Sequence, residues 1–353
     1  MNLLIHSLPL WFELTSLVFC IGGLAFLLWA LPVRESDDAH HHGRSHLQLW
    51  FFFRLAVFAA MAGSSFDLLV RTAEMSGEPI LSAFPFLPTV LFKSHVGQVW
   101  LIRMTLYIIM SLMMTAVKKH RDSRGYLFSL LCLGVIAAMM ESATGHAADK
   151  GDFSMAEIMD WFHLLAASVW GGGLFAFSLA ILPSSFEVDD RSLRLIAETA
   201  ARFSRMAGIA VVFVFATAVY NAWVYIGSAE AAVKSFYGWT VIVKTVLSLL
   251  LLLLGAFNRY VSVPGILETA GSPAGKQGAV SRLIKRVLGS VVPARKYRLT
   301  IHWFAYRIRL EALVVVAILI CASLLRHEIP AKHYLHQHDV HHEHHHIDGG
   351  AAP

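Results

Sequence analysis

The chain has 353 residues, 56% of them hydrophobic and only 15% charged, with a formal net charge of +5 and a mean hydropathy of +0.59. Apolar residues at that density, laid out in runs of about 20, exclude a water-soluble domain and predict helices that cross a bilayer. Cys20, Cys132 and Cys321 all lie inside apolar runs and form no CxxC pair, so neither a disulfide framework nor a thiolate metal trap is expected.

Eight spans are predicted. The first, Leu8–Leu31, has no basic segment ahead of it and reads as a retained span rather than a cleaved leader. "DDAHHHGRSH" follows in a loop, where His40, His41 and His42 form an auxiliary metal-capturing tract. Leu47–Val70 is the second span. The third, Val96–Val117, opens at His95 and carries Arg103 well inside; the fourth, Tyr126–Ser142, ends on Met139, Met140 and Glu141. His146 sits in the short connection to the fifth span, Met155–Leu182, which holds His163 about 12 Å along its axis at about 1.5 Å per residue. Met159, Asp160 and Trp170 share a helix face with His163. Gly171–Gly173 read as small residues that let another helix approach closely. The sixth span is Phe203–Ile226. The seventh, Trp239–Tyr260, has Lys244 near its start and Asn258–Arg259 at its end. Residues 261–300 read as a basic linker punctuated by Gly and Pro, with a short interfacial helix around Val280–Leu288. The eighth span, Tyr306–Arg326, opens with Arg309 and Glu311, which are expected to clamp the bundle together with Asn258–Arg259.

The expected fold is therefore an all-α polytopic membrane protein, a bundle of about eight transmembrane helices occupying residues 1–330. A His-rich tail, 331–353, carries His333, His336, His338, His341, His342, His344, His345 and His346. Basic residues are concentrated in the 3–4, 5–6 and 7–8 connections (Lys118, Lys119, Arg121 and Arg124; Arg191, Arg194, Arg202 and Arg205; seven more between Lys276 and Arg298). The positive-inside rule puts those loops in the cytoplasm and both termini outside. The positive charge then faces anionic lipid, and nucleic-acid binding is not expected.

That topology brings His95, His146, His163 and Glu141 to the outward side. An imidazole within a span is costly and faces the bundle interior, so His163 is a candidate ligand. Asp160 can fix its tautomer. Histidine with a thioether such as Met159, and without thiolate, suits copper, above all Cu(I). Lys244 and Arg103 either snorkel outward or pair with Glu141, Asp160 or Asp67. His95 and His6 alone read as interfacial polar residues, and Met139 and Met140 as packing residues.

These residues resemble the CopD/PcoD family of bacterial copper-resistance membrane proteins. "KSHVGQVWLIR" (Lys93–Arg103), "GHAA" (Gly145–Ala148), "HLLAASVWGGGL" (His163–Leu174), "ARFSRMAGIAVVFVFATAVYNAW" (Ala201–Trp223), "YGWTVIVK" (Tyr237–Lys244), "AFNRY" (Ala256–Tyr260) and "RLEALVVVAIL" (Arg309–Leu319) follow the family's order along nearly the whole membrane domain. The resemblance implies copper handling at the bacterial inner membrane, discussed chiefly as uptake, beside a periplasmic CopC-like copper donor. Carried over by position, it makes His146 and His163 copper-ligand candidates and gives Lys244 and Asn258–Arg259 a structural or gating role. No CopC-like domain is fused within these residues, so the donor is expected to be separate.

The expected function is a copper-binding membrane protein that takes copper from the periplasmic side at a site of His95, His146, His163, Glu141 and Met159 and passes it across the membrane. Asp160, Trp170, Lys244 and Arg103 support the site, and the protein is not an enzyme. No nucleotide-binding motif is present, so ATP-driven pumping is not expected. Two alternatives stay open: a b-type haem electron-transfer protein with histidine axial ligands, and a copper-delivery factor for cuproenzyme assembly without transport.

Overall fold

The computed structural model describes residues 3–32, 39–116, 121, 123–180, 190–271 and 297–332. These are predominantly helical, with no strand among the described residues. Eight helices are long and apolar enough to cross a membrane, one for each span expected from the sequence. Only helices or closed barrels can satisfy their backbone hydrogen bonds inside lipid.

In chain order, α1 (Leu3–Ala25) continues through a wider π turn at Phe26–Ala30, and α2 runs Ala39–Ser76. The short α3 (Leu87–Lys93) leads into α4 (His95–Ala116), followed by α5 (Arg124–Ser142). The fifth span is α6 (Met155–Ala167), a π turn at Ser168–Gly172, and α7 (Gly173–Ala180). Then come α8 (Asp190–Tyr225), the short α9 (Ala229–Lys234) and α10 (Phe236–Phe257). A π turn at Asn258–Ser262 joins α10 to α11 (Val263–Thr269), and α12 (Tyr297–His327) closes the bundle. The His6 end of the bundle thus gathers the starts of α1, α4, α6 and α10 and the ends of α2, α5, α8 and α12.

Serines cap three of the helices that start at this end. Ser94 Oγ accepts from Gly97 N–H at 3.1 Å, Ser154 Oγ from Glu157 N–H at 3.3 Å, and Ser235 Oγ from Gly238 N–H at 3.0 Å. Glu157 also reaches back to accept from Phe153 N–H at 2.5 Å, close to a capping box.

The first helix is the axis. Its apolar window is 83% buried, against 11% for the Phe236–Glu268 span at the lipid-facing rim. Two glycines allow this. A side chain on Gly22 would strike the Ser168 carbonyl and the Gly172 backbone, and one on Gly172 would strike the Val18 carbonyl. The first and fifth spans therefore cross backbone to backbone, as expected for Gly171–Gly173. In the other half of the bundle Phe26, Phe203 and Phe304 gather around Phe177 with ring centroids 5.8–5.9 Å from it, tying four spans together.

Helix ends overrun the apolar windows. His40–His42, expected in a loop, lie in the first turn of α2, although their side chains are not among those described. The sixth span starts at Asp190 rather than Phe203, and the expected linker 261–300 is helical to Thr269 and again from Tyr297. At about 1.5 Å per residue such helices are longer than the roughly 30 Å hydrocarbon core, and nothing outside lipid forces them to stop at its surface. The expected interfacial helix near Val280–Leu288 and the whole tail from His333 lie outside the described residues.

Candidate functional site: a buried charge network beside a histidine cavity

At the His6 end, six charged side chains meet inside the bundle. Arg103, 2% exposed, is their centre. Its Nε lies 3.0 Å from Glu13 Oε1, its Nη1 donates to the Glu141 carboxylate, and its Nη2 donates to Ser64 Oγ at 3.1 Å. Tyr107 donates its hydroxyl to Glu13 at 3.1 Å. Arg326 approaches Glu141 Oε1 at 3.3 Å, and also donates to the Glu141 carbonyl and to Thr144 Oγ1. Arg71 donates to Asp67 Oδ2 at 2.8 Å and to the Thr144 carbonyl at 3.2 Å. Three guanidiniums thus face three carboxylates on α1, α2, α4, α5 and α12. Isolated charges of either sign are prohibitive here, and the near-neutral pairing of three guanidiniums with three carboxylates is what makes the cluster tenable.

The second feature is a cavity of about 410 Å³ among α6, α8, α10 and α12. His146 and His163 both line it, with Asp160, Trp170, Lys244 and Arg326. His163 Nδ1 is 2.9 Å from Thr217 Oγ1, and that hydroxyl donates to the Phe213 carbonyl at 2.7 Å. The hydroxyl proton being committed, Thr217 accepts from Nδ1–H of the neutral ring, which leaves the Nε2 lone pair available to a ligand. Arg326 belongs to both features. It packs against Gly145, where a side chain would come within 3.0 Å of its guanidinium, so the glycine beside His146 lets the charge network touch the cavity.

The structure divides the residues singled out from sequence. His146, His163, Asp160, Trp170 and Lys244 share the cavity. His95, Glu141 and Met159 do not join them, contrary to the expected single site. His95 is half exposed with Nε2 3.2 Å from Asp152 Oδ1, Glu141 is enclosed by Arg103 and Arg326, and Met159 is not in the cavity wall. The reason is electrostatic for Glu141, since two guanidiniums claim its oxygens. For Met159 it is angular, since four residues of helix turn it about 40° from His163 to the side opposite Asp160 and Leu164, which face the cavity. Arg103 takes the pairing alternative, with Glu141, rather than snorkelling. Among the described residues no three His, Cys, Asp or Glu side chains form a preassembled metal cage.

Sequence reading passed over Glu13, Arg71, Tyr107 and Arg326. Glu13 carried a usable signal, a carboxylate inside the first apolar run. At the opposite end, the Asn258 amide donates to the Glu311 carboxylate, joining α12 to the π turn after α10, and accepts from Ser262 Oγ at 2.9 Å. Arg259 donates to the Ser204 carbonyl on α8. Glu311, Asn258 and Arg259 of the expected clamp thus join three helices.

The fold and the site define a multi-pass helical membrane protein with a buried ion-pair network opening on a histidine-lined cavity. Residues 8–156 match the copper resistance protein D-like N-terminal domain family, and residues 197–325 match the copper resistance protein D family. The chain belongs to the copper resistance protein D family. It is 30% identical over 196 residues to the copper transport protein CutJ of Bacillus subtilis (strain 168), covering 54% of this chain and 36% of that protein. It is 28% identical over 202 residues to copper resistance protein D of Pseudomonas syringae pv. tomato, covering 56% of this chain and 64% of that one. The matched region therefore spans less than two thirds of either relative. No solved structure matches the chain.

Proposed function

We propose that this protein handles copper at the bacterial inner membrane, taking the ion at the periplasmic side and passing it between its helices, without enzymatic activity. Family membership supports the copper, as do the names of the two relatives. The observation that carries the reading is the shared cavity of His146 and His163, two imidazoles that the chain supplies from separate elements to one membrane-embedded space. Imidazole is a good ligand for copper, and Asp160 and Lys244 set the field in which the ion sits. Both termini face the periplasm in this reading, where the tail histidines gather copper from a separate CopC-like donor, and His40–His42 receive it inside. Lipid is the other partner; nucleotide and nucleic acid are not.

The test is copper binding, under reducing conditions in detergent, by full-length protein whose tail histidines are replaced by serine. His163→Ala and His146→Ala should each weaken the tight copper site at least tenfold, and the double variant should be little worse than either single one, because the two ligands serve one ion. The exposed His302 should tolerate the same change. Unchanged affinity in both single variants would overturn the assignment.

A further inference from the structure

We propose a second metal site where the first and last helices meet, in which His6 Nε2, His327 Nε2 and Asp67 Oδ1 bind a divalent first-row transition ion such as Cu(II) or Zn(II). It goes beyond the copper reading above, and would stand in a protein that moved no copper at all.

His6 is 7% exposed, Asp67 2%, and the His327 side chain 6%. All three named atoms are buried without a hydrogen-bond partner, while the other polar atoms of His6 and Asp67 are engaged. His6 Nδ1 meets Glu74 Oε1 at 2.8 Å, and Asp67 Oδ2 accepts from Arg71. Three unused donor atoms in one buried corner call for an explanation.

Geometry supplies it. His327 Nε2 and Asp67 Oδ1 are 3.8 Å apart. That is too long for a hydrogen bond, but it suits two ligands each about 2.0–2.2 Å from one ion. The imidazoles of His6 and His327 stand nearly perpendicular, at 81°, with centroids 6.4 Å apart. Two rings bound through Nε2 to one ion have centroids about 5–6 Å apart, so they draw together by about an ångström on binding. That closure is why no finished three-ligand cage is present among the described residues.

The surroundings fit as well. Glu74 accepts Nδ1–H of His6, which fixes the tautomer with the lone pair on Nε2, the usual support of a metal-bound histidine. Two imidazoles and one carboxylate favour Cu(II) or Zn(II) over Cu(I), which prefers softer ligands, and over Mg(II) or Ca(II), which take oxygen. His6 opens α1 and His327 ends α12, so a bound ion staples the axial helix to the last one. His327 directly follows Arg326, which reaches both Glu141 and the cavity. Occupancy of this site is thereby linked to the histidine cavity.

The experiment is Zn(II) and Cu(II) titration against a chromophoric chelator, with full-length protein in which the tail histidines and His40–His42 are replaced by serine. His6→Ala and His327→Ala should each weaken one bound ion by a hundredfold or more, and the Cu(II) paramagnetic resonance spectrum should lose nitrogen coupling. Glu74, 47% exposed, can be changed without disturbing the core, so Glu74→Gln keeps the test decisive if the histidine variants fail to fold. It should weaken binding about 10- to 100-fold. His163→Ala should leave this ion in place, even if it removes copper from the cavity. Unchanged affinity in Glu74→Gln, or in both His6→Ala and His327→Ala, would overturn the site. So would loss of the only bound ion in His163→Ala.

Discussion

Arg103 shows how much one side chain can decide. It holds Glu13 and Glu141 together inside the bundle, with Ser64 on its third nitrogen. Removing one partner of a buried pair costs about 3–5 kcal/mol, because the remaining charge is left unpaired. Arg103→Ala leaves Glu13 without a cationic partner and Glu141 with Arg326 alone, and should therefore unfold the protein at markedly lower temperature in detergent. Arg103→Lys should recover only part of the loss, since an ammonium keeps the charge but not the fork that reaches three partners. The exposed pair Lys234–Glu230, at 2.6 Å, is the counter-case. Water screens both groups, and Glu230→Gln should leave the thermal transition unmoved. A melting temperature for Arg103→Ala equal to that of the unaltered protein would remove the network from the account of stability.

At the scale of elements, the contact that matters is the crossing of the first and fifth spans at Gly22 and Gly172. Lipid tails are as apolar as leucine, so helices associate in membranes through close packing and polar contacts rather than through exclusion of water. Gly172→Ala places a methyl group against the Val18 carbonyl. It should cost about 1–3 kcal/mol or more through overpacking. Gly255, in α10, has open space around its Cβ position, and Gly255→Ala should be neutral or stabilising by up to about 1 kcal/mol. Thermal unfolding of the two variants side by side checks this, and equal melting temperatures would contradict it. The apolar runs of these helices were legible in the sequence. The π turns were not, because they answer to neighbours across the bundle rather than to local residue preferences.

For the whole molecule, the basic connections alternate with connections poor in Lys and Arg, and eight spans return the chain to the side where it began. A reporter fused after Pro353 should be active only if it is of a kind that works in the periplasm, and activity of a strictly cytoplasmic reporter there would reverse the orientation. Replacing the tail histidines by serine should lower the number of copper ions bound per chain while leaving the tighter membrane binding, because a flexible tail must close a loop for each ion it holds. Loss of all copper from that variant would place the binding in the tail alone.

The layout of apolar residues along the chain alone determined that it is a bundle of eight membrane helices, since a run of about 20 apolar residues has few other stable fates. Local signals also marked His146 and His163, one beside a helix end and one at depth in a span. What local signals could not assign were partners. Glu141 reads in sequence as a free oxygen ligand near the surface, yet Arg103 and Arg326 claim it from helices 38 and 185 residues away in sequence. His6 reads in sequence as an interfacial polar residue, and His327, near the other end of the described chain, goes unremarked until α1 and α12 bring their ring centroids to 6.4 Å. Burial energy belongs to single residues and can be read along a chain. Charge pairing and coordination belong to sets of residues, and only the packing of the helices decides which sets exist.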